Sequence, residues 1–147
     1  MSDELLAGFL SSAVARVRCV NYVSPGGSRD ANEGPVEVSL DNGVVFRLES
    51  GSDGESLRFA IGKWVDPFIE PLSPENREFV ARSGKWTAFD VSGDQNFGRF
   101  IGQRIKDLNL LTAWGKVVGI ELVFGSATLK AEVRADELFV ECGDCPE

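Results

Sequence analysis

The sequence predicts an α+β fold: mostly antiparallel sheet from two related β-meanders, with one central helix and a short N-terminal helix. Three observations carry this expectation. Short runs of alternating apolar and polar residues fill the first and last thirds of the chain. One strong helix start, Ser73-Pro74-Glu75, lies between them. The outer thirds also align with each other, at 9–60 and 100–141, with 61–99 as a connector inside a single domain of 147 residues.

Taken in order, Ser2 caps a short helix whose first turn holds Asp3 and Glu4, where the helix dipole favours acids. Phe9 to Val23 reads as extended, with Ala15, Val17 and Cys19 on one face and Arg16 and Arg18 on the other. Residues 24–34 are a Gly/Ser-rich loop, long for a hairpin connection. Val36, Val38 and Leu40 alternate with Glu37 and Ser39 as in a half-buried strand. Asn42-Gly43 then suits the positive φ angles of a type I′ turn before a return strand, Val44 to Glu49. Glu55 to Ile61 is a further strand.

The centre differs. Trp64, Pro67, Phe68, Ile69 and Pro71 suit an irregular crossing. The helix then opens with a capping hydroxyl and proline at its first position, and Gly84 stops it. Lys85 to Val91 is a strand and Ser92 to Gly98 a polar loop. Phe100, Ile101 and Ile105 form a helical turn or begin a strand. Four strands complete the chain: Ile105 to Ala113, Val117 to Phe124, Thr128 to Val133 and a short Leu138 to Val140, with a frayed tail from Cys142.

The two outer thirds match in detail. Phe9-Leu10, Val14, Val17, Cys19 and Val20 line up without a gap on Phe100-Ile101, Ile105, Leu108, Leu110 and Leu111. After an insertion in the first loop, Val36-Glu37-Val38 and Leu40 fall on Ile120-Glu121-Leu122 and Phe124. With one more gap at the turn, Phe46-Arg47-Leu48-Glu49 falls on Leu129-Lys130-Ala131-Glu132, and Leu57 and Phe59 then fall on Leu138 and Val140. The charge sign agrees at Glu37/Glu121, Arg47/Lys130 and Glu49/Glu132. Such meanders would form one curved sheet or two packed sheets.

Composition limits the function classes. Apolar residues are 43% and charged residues 26%, as in ordinary globular chains. The net charge of −8 repels phosphate backbones and anionic lipid, so nucleic acid and membrane are not expected partners. The same charge attracts and steers a basic protein. Three cysteines do not suggest a secreted disulfide framework. Neither a membrane span nor a signal peptide is read, so the cytoplasm is the expected location.

Catalysis is not expected. The chain has no histidine, which removes Ser-His-Asp and Cys-His centres and histidine metal sites. Cys142-Gly143-Asp144-Cys145 is a CxxC pair with only Cys19 left to complete a metal site, and it is read as an incidental tail. Gly93 to Gly98 lacks the Lys-Ser/Thr of a phosphate loop and is read as a polar turn. No metal or cofactor is expected.

The candidate binding residues are Trp64, Asp66, Phe68 and Glu70, where large aromatics mix with acids as they do in interfaces, together with Asp94. Trp86 and Trp114 are further aromatic candidates, and the loop 24–34 is another. Simple core packing is the competing account of each aromatic.

Gly102-Gln103-Arg104-Ile105, the terminal Asp136-Glu137-Leu138-Phe139-Val140, the acidity and the absence of histidine together resemble small bacterial proteins of the toxin-immunity kind. The likeness covers about two-thirds of the chain and carries no site residues with it. It implies a non-enzymatic protein that neutralises a cognate toxin by covering an essential surface of it, with acids for steering and aromatics as anchors. Two other readings stand beside it. One is a structural or assembly subunit, such as a homodimer joined through sheet edges or the aromatic segment. The other is a small-ligand binder or enzyme with a pocket between the two meanders.

Overall fold

The computed structural model describes Leu10, residues 12–31 and residues 33–144. The chain runs β1 (Val14–Val23), β2 (Val36–Leu40), β3 (Val45–Ser50), β4 (Leu57–Ile61), α1 (Pro74–Ser83), β5 (Lys85–Asp90), β6 (Asp107–Ala113), β7 (Lys116–Val123), β8 (Ala127–Arg134) and β9 (Glu137–Asp144). These strands build two antiparallel sheets. The five-stranded sheet has the order β4-β3-β2-β1-β5 and the four-stranded sheet the order β6-β7-β8-β9.

The fold is therefore mostly antiparallel β in two sheets, 51% strand, and the α+β expectation is corrected. Among the described residues the ten-residue helix α1 buries no residue and is tied to the five-stranded sheet at its C-terminal end, where the Ser83 carbonyl accepts from the Tyr22 hydroxyl, so it adds no helical layer to the core. The short N-terminal helix expected over residues 2–8 lies outside the described residues. Extended structure begins at Val14, whereas Leu10, read as extended, is helical.

The two meanders share one register. In the first, Arg16 faces Ser39, Val17 faces Val38, Arg18 faces Glu37 and Cys19 faces Val36. At the aligned positions Asp107 faces Val123, Leu108 faces Leu122, Asn109 faces Glu121 and Leu110 faces Ile120. The next pair of strands agrees as well: Glu37 faces Arg47 and Val38 faces Phe46, as Glu121 faces Lys130 and Leu122 faces Leu129. So does the last, with Leu48 opposite Phe59 and Ala131 opposite Val140. Side chains alternate faces with period two, so a slip of one residue would turn every apolar residue to water. Both meanders thus present their apolar faces to each other.

One cluster fills the space between the sheets. Val17, Val36, Val38, Phe46 and Leu48 from the first sheet meet Ile120, Leu122, Leu129, Ala131 and Leu138 from the second. The Phe100 and Phe124 rings pack 4.7 Å apart at one end. Each fully buried side chain of this size contributes roughly 1.5–3 kcal/mol relative to exposure.

Local signals explain the connections. The β2–β3 hairpin forms where Asn42-Gly43 predicts it, but Gly43 alone has positive φ, at 88°. The Gly43 N–H donates to the Leu40 carbonyl and the Leu40 N–H to the Val44 carbonyl. This is the longer hairpin loop, closed by one left-handed residue, rather than the type I′ turn. At α1 the Ser73 hydroxyl accepts the Asn76 N–H at 3.1 Å. At the far end of the chain, β9 continues through Cys142, which pairs with Leu129, so the expected frayed tail is corrected as far as Asp144. Pairing with β8 overrides the poor strand preference of Gly143 and Asp144. Among the described residues no helix is long and apolar enough to cross a membrane.

Candidate functional site

The outward face of the first sheet is polar by alternation, yet its centre is covered. Glu37 sits there at 2% exposure. Its carboxylate takes two hydrogen bonds from the Arg18 guanidinium, at 2.7 and 2.5 Å, and one from the Trp64 N–H at 2.8 Å. Arg18 also donates to the Trp64 carbonyl, and Arg47 to the carbonyls of Gly62 and Lys63 at 2.8 and 2.9 Å. Burial works against the charge on Glu37. The Arg18 pair and the Trp64 N–H outweigh it and hold the carboxyl below its ordinary range. A charged strip of the sheet thereby grips the backbone of the connector.

Beyond that grip the connector turns aromatic. β1 contributes Tyr22 and β5 contributes Trp86, and the register places them opposite each other with ring centroids 5.9 Å apart. The connector supplies Trp64 and Phe68. α1 supplies Phe79, whose ring stacks on Phe68 at 5.6 Å. These five rings line a cavity of about 560 Å³ that also touches Val65, Pro67 and Lys85.

Its walls are fixed by polar ties. Lys85 Nζ donates to Asp66 Oδ2 at 2.6 Å and to the Phe68 carbonyl at 3.1 Å, while Asp66 Oδ1 accepts the Phe68 N–H at 2.8 Å. Burial raises the cost of charge on Asp66, but Lys85 and the Phe68 N–H outweigh it and hold its carboxyl below the usual range. The Tyr22 hydroxyl donates to the Ser83 carbonyl at the end of α1. Next to it, Gly84 has φ 73°, and a Cβ there would lie 2.3 Å from the Val23 carbonyl oxygen. Only glycine lets the helix end this close to β1.

With Lys85 consumed by Asp66, the cavity offers aromatic surface without a free charge on its floor. Such a surface accepts an apolar side chain or the stem of a long cationic one. Val65 at its edge is 72% exposed, and Ile69, next to Phe68 in the chain, is 68% exposed.

The structure treats the sequence candidates unequally. Trp64 and Phe68 line the cavity, Asp66 braces it, and Glu70 lies farther along the connector, 3.5 Å from Arg77. Asp94 is elsewhere, lining a second cavity between the two sheets. Trp86 joins the aromatic set, whereas Trp114 is 95% exposed at the β6–β7 turn. Tyr22 and Phe79 were not legible as site residues, because each reads locally as part of a strand face or a helix face.

Among the described residues no three His, Cys, Asp or Glu side chains converge as metal ligands. Burial pushes the Cys19 thiol up to about 12 and the Cys142 thiol up to about 11. Neither is an activated nucleophile at neutral pH. Comparisons with protein families, with curated proteins and with solved structures give no match.

Proposed function

We propose that this chain is a non-enzymatic, acidic protein-binding module that docks a basic partner over the aromatic cavity. The role that fits best is that of a cytoplasmic immunity protein neutralising a cognate bacterial toxin. The observation that carries the reading is the convergence of Tyr22, Trp64, Phe68, Phe79 and Trp86, flanked by solvent-facing Val65 and Ile69. Tryptophan and tyrosine in a rigid, partly desolvated pocket are the usual energetic centre of an interface. Exposed apolar residues grouped around such a pocket mark an interaction site. The net charge of −8 supplies long-range attraction for a basic partner and raises its association rate.

The test is growth rescue. The C-terminal region of the protein encoded immediately upstream is induced in a host with and without this chain. The reading expects toxicity that this chain relieves and that Val65→Asp or Phe79→Ala restores, with both variants folded by circular dichroism. A harmless neighbour, or toxicity unchanged by the chain, overturns the immunity role and makes assembly of the chain with itself the account to pursue.

A further inference from the structure

The second cavity lies between the sheets, on the opposite side of β1 from the aromatic one. Cys19 and Val36 of the first sheet and Val140 and Cys142 of the second form its floor. The loop after β1 and the segment after β5 form its mouth. Its volume is about 220 Å³, below the roughly 300–1,000 Å³ of pockets for drug-sized ligands. It suits a small molecule.

Arg29 stands at that mouth, exposed to solvent but held in orientation. Its Nε donates to Asn21 Oδ1 at 3.0 Å, and Asn21, itself 2% exposed, donates from Nδ2 to the Glu33 carbonyl at 2.9 Å. The guanidinium lies over the Phe89 ring, 3.9 Å from its centroid. The loop that carries it is tied down on both sides: the Asp30 N–H donates to the Tyr22 carbonyl, and the Gly34 N–H to the Leu138 carbonyl of the other sheet, each at 2.9 Å. A buried amide and an aromatic face therefore fix the plane of this side chain.

What they leave open is the fork. Arg16, Arg18 and Arg99 each hold a carboxylate within 3.0 Å. Arg29 has no such partner among the described residues, and its two terminal nitrogens make no hydrogen bond there. A planar, oriented pair of N–H donors matches a carboxylate bidentately. Glu33 and Asp94 also line the cavity, which would repel a ligand carrying only negative charge. Together with the apolar floor, they select a ligand with a carboxylate at one end and a cationic group at the other.

We propose that this cavity binds a free α-amino acid with a short apolar side chain: the carboxylate on the Arg29 fork, the ammonium toward Glu33 and Asp94, and the side chain against Val36 and Val140. The site is independent of the partner surface on the far side of the sheet.

The test is thermal melting and calorimetric titration of the whole chain with L-alanine and L-valine, with acetate and ethylammonium as the two half-ligands. The amino acids should raise the melting temperature, and each half-ligand should do so at least about tenfold less effectively, because each makes only one of the two charged contacts. Arg29→Gln should abolish the shift. Arg29→Lys, which keeps the charge and loses the fork, should weaken affinity about tenfold. Asp94→Asn combined with Glu33→Gln should weaken the amino acids and leave acetate unharmed. Absence of any shift with either amino acid, or an equal shift in a folded Arg29→Gln protein, overturns the proposal. So does acetate matching L-alanine, which would make the site one for a simple anion.

Discussion

Glu37 and Glu121 occupy the same position in the two meanders, each facing a basic residue of the next strand, but only Glu37 is sealed from water. Arg18 and the Trp64 N–H satisfy it, whereas Glu121 accepts a hydrogen bond from Asn109 at 3.2 Å on an open face. Removing one member of a buried ion pair strands the other. Glu37→Gln should therefore cost about 3 kcal/mol in a urea melt. Glu121→Gln should cost no more than about 0.5 kcal/mol. Equal losses would mean that the two faces are equally solvated.

The same residue sets part of the acid limit. Glu37, Asp66 and Asp90 are each held below the ordinary carboxylate range when folded. Such groups lend stability in full above their unfolded values near 4, and that stability drains away as pH falls through the lower folded values. Glu137 has the opposite sign. Burial, with Glu33, Asp136 and Asp30 nearby, raises its carboxyl above the ordinary value. Its penalty grows as pH rises from the unfolded value through the folded one and is complete above it. Glu137→Gln should accordingly raise the melting temperature at pH 7 and give no gain below about pH 4. A gain that persists in acid would contradict this assignment.

Gly34 has φ 127°, and a Cβ there would lie 1.9 Å from the Val20 carbonyl oxygen. It is also where the long loop crosses to β9. Gly34→Ala should destabilise by more than about 2 kcal/mol, combining backbone strain with a clash against main chain that cannot swing aside. Gly43→Ala meets no atom within 4 Å and carries only the conformational cost. Paired denaturation curves of the two variants separate the effects.

Thiol labelling reads the burial of Cys19. With its acidity suppressed and 4% exposure, it should resist alkylation at pH 8 in the native chain. Labelling should be far slower than in urea, because the thiolate is scarce at this pH and the sulfur is reached only through the small cavity it lines. Mass mapping that finds Cys19 modified as fast as in urea would contradict the packing between the sheets.

The inward faces of both meanders were legible because period-two alternation runs through both and the charge signs agree at the aligned positions. Arg47 and Lys130 fall on the same face for the same reason. The fold class was misjudged because a clear helix signal, Ser73-Pro74-Glu75, says that a helix forms and not where it packs. Alternation likewise marked Glu37 as outward-facing, which is true, but outward came to mean covered, since residues far along the chain return over it. Trp64 and Phe68 stood out as aromatics among acids. Tyr22 and Phe79 could join them only through the register of β1 with β5 and the end of α1. Asp94 is separated from the aromatic set by the sheet itself, a relation that spacing in sequence does not encode.

The connector is gripped from beneath by Arg18, Glu37 and Arg47, groups that water would solvate readily, rather than by a leucine seam. Lifting it exposes charge, and exposed charge is cheap in water. This layer should therefore open as its own cooperative unit well below the free energy of global unfolding, with amides of residues 62–73 exchanging ahead of those in β2 and β8. A partner that grasps the aromatic cavity would close that breathing motion, so binding would be felt as a slowing of exchange beneath the connector as well as at the point of contact.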